Sequence, residues 1–162
     1  MYNLNFLNKL RKHHFVCLII IIFIFFLDRY SKDEIIKHQL EHSKVYVNDF
    51  INFDLVWNTG IGFGFLSSNS SFIYNSITSI IGLLIIFLAY LIIKSKFIDR
   101  ILFSLIVGGA LGNFYDRIAY TAVPDFIDLH YQNFHWFTFN IADIFISIGI
   151  IMLIIKDIVI KK

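Results

Sequence analysis

Four long apolar runs leave this chain few folds to choose from. They cover about 15–27, 72–93, 101–118 and 137–155, and a helix needs roughly 20 such residues to cross the hydrocarbon of a bilayer. The first run is short, but it extends to about 12–29 once Lys12, His13 and Arg29 sit at headgroup level, where basic side chains reach water while their stems stay in lipid. With 57% hydrophobic residues, 19 Phe and a single Pro, and a mean hydropathy of +0.70, the chain is too oily for an ordinary soluble domain. The expected fold is an all-α integral membrane protein, one membrane domain over 1–162. It has four transmembrane helices at about 12–29, 72–93, 101–118 and 137–155. Residues 1–30 also have the basic start and apolar core of a signal peptide, but no small-x-small cleavage site follows, so a retained helix is expected.

The cations orient the bundle. Lys9, Arg11 and Lys12 precede the first helix, Lys94, Lys96 and Arg100 lie between the second and third, and Lys156, Lys161 and Lys162 follow the fourth. These nine, of 14 Lys and Arg in all, share one side with only two of the 12 acids, Asp99 and Asp157. By the positive-inside rule both termini are cytoplasmic. Two loops, roughly 30–71 and 119–136, then face outward, as do the remaining notable acids. The net charge of +2 is too small to indicate a nucleic-acid partner. Cys17 has no second cysteine to pair with and reads as a small packed hydrophobe.

The first outer loop is rich in β-branched and aromatic residues from Val45 to Leu66, with partial alternation. That pattern predicts a small extracytoplasmic β-rich subdomain between helices 1 and 2, at about 45–66. Its Gly60, Gly62 and Gly64 suit either a bulged turn or close approach by an extended peptide docking as an added strand.

Acids near the apolar runs carry the chemistry. Two Asn-x-x-Asp signatures, Asn113–Asp116 and Asn140–Asp143, stand within or at the edge of apolar segments, with Asp125 between them. A carboxyl there is costly, and its default reading is a working site with a nearby partner. Asn113 and Asp116 share a helix face, and Arg117 beside Asp116 is a candidate neutralising partner in a helix-end salt bridge. Gly108, Gly109, Ala110 and Gly112 let a neighbouring helix approach closely. Pro124 cannot continue a helix, which places Asp125 on irregular backbone beyond it, and Asp128 is expected to face solvent. Trp136 fits an interfacial aromatic belt. Asp143 is then about six residues into the fourth helix, roughly 9 Å below the surface at 1.5 Å per residue. Antiparallel helices joined by such a loop bring Asp125 and Asp143 within reach of each other. Two carboxyls in one site share a proton, as water activation against an amide requires.

Five blocks in order, Asp28-Arg-Tyr-Ser-Lys32, Asn58-Thr-Gly-Ile-Gly-Phe63, Gly108-Gly-Ala-Leu-Gly-Asn-Phe-Tyr-Asp-Arg117, Val123-Pro-Asp-Phe126 and Phe139-Asn-Ile-Ala-Asp143, resemble the lipoprotein signal peptidase (signal peptidase II) family over nearly the whole chain. The resemblance implies an aspartic endopeptidase of the bacterial inner membrane, active at its outer face. Such an enzyme removes prolipoprotein signal peptides ahead of a diacylglyceryl-modified cysteine. It assigns the catalytic pair to Asp125 and Asp143, and substrate contact or site support to Asp28, Lys32, Asn58, Gly60, Asn113, Asp116, Arg117 and Asn140. Gly62 stands where the family usually has Ala, and Pro124 where it often has another apolar residue. The expected partners are lipid-modified signal peptides and membrane lipid, and the expected state is monomeric, with no cofactor. No metal is expected either, since His13 with His14, His38 with His42, and His130 with His135 lack a ligand cluster at metal spacing. No Gly-x-Ser-x-Gly elbow supports a serine nucleophile. The rival reading is a small proton- or cation-conducting protein using the same acids. Its path would have to cross the cytoplasmic halves of the helices, which are almost purely apolar.

Overall fold

The structure is a computed structural model that describes residues 4–60 and 71–160. Gly62 and Gly64, the end of the anticipated strand region at 61–66, and Lys161 and Lys162 lie outside the described residues. In chain order the elements are α1 (Leu4–Glu41), β1 (Val45–Asn48), β2 (Ile51–Asn58), α2 (Ser71–Lys94), α3 (Phe97–Tyr120), β3 (Val123–Tyr131), β4 (Phe134–Phe139) and α4 (Ile141–Ile160). Three helical stretches, Arg11–Glu41, Phe72–Lys94 and Phe97–Tyr120, are long and apolar enough to cross a membrane. Large apolar side chains such as Phe23, Phe26, Leu83, Ile86, Ile118 and Ile154 lie exposed on the helices. Surfaces of that kind suit lipid rather than water.

Helix α3 packs against each of the other three helices. Its small residues make this possible. A methyl group built on Gly108 would meet Ile24 of α1, on Gly109 the Ala142 carbonyl of α4, and on Gly112 the Asp28 carboxylate. Gly112→Ala is therefore expected to push Asp28 out of place and to lower both thermal stability and activity by more than Ala does at an exposed α3 position such as Ile118, checked by melting the detergent-solubilised variant. Cys17 is buried in a cluster with Ile85, Ile92 and Val107, as its apolar setting led one to expect.

Beyond the bundle lies one antiparallel sheet of order β1-β2-β3-β4. The tip of the β1–β2 hairpin is closed by Asn48, whose Oδ1 accepts from the Phe50 and Ile51 N–H groups at 2.8 and 3.0 Å, the local bonding that suits Asn to turns. Several sequence expectations are corrected here. The 119–136 segment is no loop: β3 and the start of β4 lie in it, so the sheet draws half its strands from the segment between α3 and α4. Pro124 is the second residue of β3, near the strand start, where a missing N–H is tolerated. Trp136 belongs to β4, at a bulge between its neighbours' pairings with β3. Helix α1 does not stop near 29 but runs to Glu41, an extra length of about 18 Å at 1.5 Å per residue. Residues 30–41 contain neither Gly nor Pro to end it.

Candidate active site

The start of α4 organises the site. Asn140 immediately precedes the helix. Its Oδ1 accepts the Asp143 N–H at 3.1 Å, while its own N–H donates to Asp143 Oδ2 at 3.2 Å. This reciprocal pair is a capping box with Asp in the acidic position, and it gives one of the two Asn-x-x-Asp signatures a local cause. Asp143 is thus in the first turn of α4, not some six residues in, so the count from which the depth of 9 Å was reckoned is corrected. With Asn140 Oδ1 occupied, its Nδ2 turns to Asp125 Oδ1 at 2.6 Å. The other Asp125 oxygen accepts from Asn58 Nδ2 at 2.9 Å, and Asn58 Oδ1 accepts the Gly60 N–H at 2.8 Å. Asp125 enters from β3, where it pairs with Val56, and Asn58 enters from β2, where it pairs with Val123. Side chains two apart on a strand leave the same face, so Asn58 and Asp125 meet.

A second layer of charge supports the first. Lys32 is fully buried and spends all three donors at 2.7 Å, on Asp28 Oδ2, Asn113 Oδ1 and Asp116 Oδ2. Because Asn113 gives its oxygen to Lys32, its Nδ2 is left for Asp143 Oδ1, at 2.8 Å. Asp28 Oδ1 accepts the free N–H of Ala142 at 2.9 Å, a carboxylate at the N-terminus of α4, where the helix dipole favours it. Arg117 does not neutralise Asp116. Neighbouring helical residues point in different directions: Asp116 pairs with Arg29 and Lys32, whereas Arg117 donates to the Gly60 carbonyl at 2.8 Å and the Asn113 carbonyl at 3.2 Å.

All ten anticipated residues therefore fall in one connected network. It also recruits residues that sequence reasoning passed over. Arg29 bridges Asp116 and Asp33, and its i,i+4 spacing to Asp33 was the available signal. Tyr74 of α2 donates to the Arg117 carbonyl at 3.2 Å, with no signal in the sequence. Asp128 is buried, not solvent-facing, and pairs with His135 at 2.7 Å. Its odd spacing from Asp125 along β3 sends the two side chains to opposite faces of the sheet.

Asp125 lies outside the helices, and its carboxyl is pushed up to about 7, first by burial and then by the charge of Asp143, against the pull of the Asn58 and Asn140 hydrogen bonds. Such a group exchanges a proton near neutrality, which suits acid–base work. Asp143 is partly exposed. It lines a mainly apolar groove of about 320 Å³ together with Phe137, Phe139, Ile144, Ser147, Ile148 and Ile151.

The chain matches the family model described as signal peptidase (SPase) II over residues 20–159. This chain belongs to the signal peptidase II family. It is 51% identical to the lipoprotein signal peptidase of Pelagibacter ubique, over 93% of each chain. With that of Aquifex aeolicus it shares 41% identity over 92% of this chain and 89% of the relative. Among solved structures, a bacterial membrane enzyme determined by the in meso method at 2.3 Å resolution superposes with a TM-score of 0.72 and 33% identity, over 88% of this chain and 87% of that one. Another, at 1.9 Å, gives 0.67 and 32%. Membership of signal peptidase II makes the chain a protease by family.

Proposed function

We propose that this chain is an aspartic endopeptidase that removes signal peptides from prolipoproteins ahead of a diacylglyceryl-modified cysteine, with Asp125 and Asp143 sharing one proton. The observation that carries the reading is Asn140, which bonds to both acids at once and so holds a carboxyl from the sheet against one from α4. In the reaction, the ionised acid takes a proton from water as the oxygen attacks the scissile carbonyl carbon. The protonated acid gives its proton to the carbonyl oxygen. The tetrahedral intermediate then collapses, the C–N bond breaks, and the leaving amine takes a proton from the site. Asp125, with its value near 7, is the partner that starts protonated. The groove beside Asp143 receives the apolar part of the substrate, and Lys32 and Asn113 hold Asp143 in position.

The proposed topology has α4 as a fourth span of a single membrane domain over 1–162, both termini cytoplasmic and the site at the outer face of the bacterial inner membrane. A monomer suffices, since one chain supplies every group named. Against a conducting path stands the apolar packing of Cys17, Ile85, Ile92 and Val107 between α1, α2 and α3.

The test is cleavage by purified protein of a lipid-modified precursor beside its unmodified form. Cleavage of the modified precursor alone, just before the cysteine, is expected; cleavage of neither, or of both equally, contradicts the proposal. The pH profile is a further expectation. With Asp125 required in its protonated form, kcat/KM falls as pH rises through about 7. Asn58→Ala removes a donor that favours the ionised carboxylate, so Asp125 holds its proton longer and this alkaline limb moves to higher pH. A limb that stays put or moves down contradicts the assignment.

A further inference from the structure

Strand β2 has a defect at the place that decides where Asn58 points. Its pairing with β3 runs in register from Ile51↔Leu129 to Phe53↔Ile127, shifts, and resumes at Val56↔Asp125. One extra residue in β2 makes this a bulge. Because side chains alternate, a slip of one residue would move every later side chain to the other face. Asn58 would then no longer meet Asp125. Pairing with β1 gives no help, since it reaches only as far as Val45↔Phe53. Past that point the other edge of β2 needs a partner from elsewhere.

Gln39, in the last turn of α1, is that partner. Its Oε1 accepts the Leu55 N–H at 2.7 Å and its Nε2 donates to the Phe53 carbonyl at 3.4 Å. A single side-chain amide thus bonds the strand on either side of Asp54, as a neighbouring strand would. Only the extension of α1 past the bundle brings Gln39 there. We propose that Gln39 is a positioning residue: by gripping the β2 bulge it fixes the register that aims Asn58 at Asp125. This rests on the role given to Asp125 above. The coupling runs from Gln39 through Leu55 and Asn58 to the carboxyl, and Gln39 itself touches no reacting atom.

The experiment uses full-length enzyme and a lipid-modified precursor, comparing wild type, Gln39→Met, Asn58→Ala, the double variant and Asp125→Asn. Met keeps the length of Gln and loses both hydrogen bonds. The expected result is a drop in kcat of about fivefold to tenfold for Gln39→Met, the scale of one lost hydrogen bond, with KM little changed. Its alkaline limb moves the same way as in Asn58→Ala, hydrogen exchange at the Leu55 amide speeds up, and the double variant is no slower than Asn58→Ala alone. An unmoved limb, or full additivity with Asn58→Ala, overturns the proposal, because a merely structural loss would give either. Gln39→Ala is the second variant; if neither accumulates in the membrane, Gln39 serves folding alone and the proposal also falls. Cleavage retained by Asp125→Asn would instead sink the reading of the site, whatever Gln39 does.

Discussion

Asp143→Asn is expected to insert in the membrane and to cleave its precursor about 10²–10⁴-fold more slowly than wild type, the range over which a positioned acid or base contributes. Asp125→Asn should show the same loss. Neither change is a silent isostere here. Asp125 accepts from two amide nitrogens, Asn58 Nδ2 and Asn140 Nδ2, and neither amide is free to flip, because their oxygens already hold the Gly60 and Asp143 N–H groups. An Asn at 125 must therefore set its own NH₂ against one of those donors, at a cost of about 1–3 kcal/mol for the groups left unmade. At 143 the same conflict falls on Asn113 or on the cap of α4. Stability and rate must be measured together: a variant that melts a few degrees low yet cleaves at a hundredth of the rate or less has lost chemistry, not folding. A variant that cleaves within tenfold of wild type removes its residue from the catalytic pair.

Legibility in the sequence followed the range of the interaction responsible. The apolar cores of the helices are local, so a helix could be read at each run but not its ends: the run expected to open a helix at 137 begins in β4, and α4 is Ile141–Ile160. The small residues of α3 announced close packing because nothing else explains Gly108, Gly109 and Gly112 together. The β3–β4 hairpin was hidden. Strand β3 finds its partner β2 about 70 residues away, and non-local pairing leaves little local trace beyond a half-apolar segment that also reads as a loop. Ending α1 where its hydrophobicity ends was an error of principle: the bilayer sets where apolar residues stop, but only a breaker stops the helix, and none occurs before Glu41. The acids could be found one by one. How they are held could not, because the orientation of Asn113, Asn140 and Asn58 depends on donors from other elements, and no spacing rule would have sent Arg117 to the Gly60 carbonyl and Arg29 to Asp116.

Lys32→Met should produce the largest loss of stability of any conservative change in the site. The Lys32 ammonium is inaccessible to water and bonds two buried carboxylates, Asp28 and Asp116. Desolvating three charges is expensive, and mutual attraction offsets that cost only while the set is complete. With the ammonium gone, Asp116 keeps Arg29, but Asp28 keeps only the Ala142 N–H, and one buried carboxylate must stay unpaired or take up a proton. Breaking such a cluster costs about 3–5 kcal/mol. Asn113 also loses the donor that fixes its amide, so Asp143 keeps the Asn140 cap but loses a fixed donor to its other oxygen, and cleavage should fall along with stability. The origin of the loss is separable by a second change. If uncompensated charge is the cause, Asp28→Asn in the Lys32→Met background should restore part of the melting temperature while cleavage stays low, because the charge conflict is relieved but Asn113 is still unanchored. If instead the loss reflects the shape of the lysine stem in its slot, the added change should lower stability further. Thermal unfolding of the four proteins of this cycle, in one detergent and at one pH, decides between charge and packing as the force that holds α1, α3 and α4 together at the site.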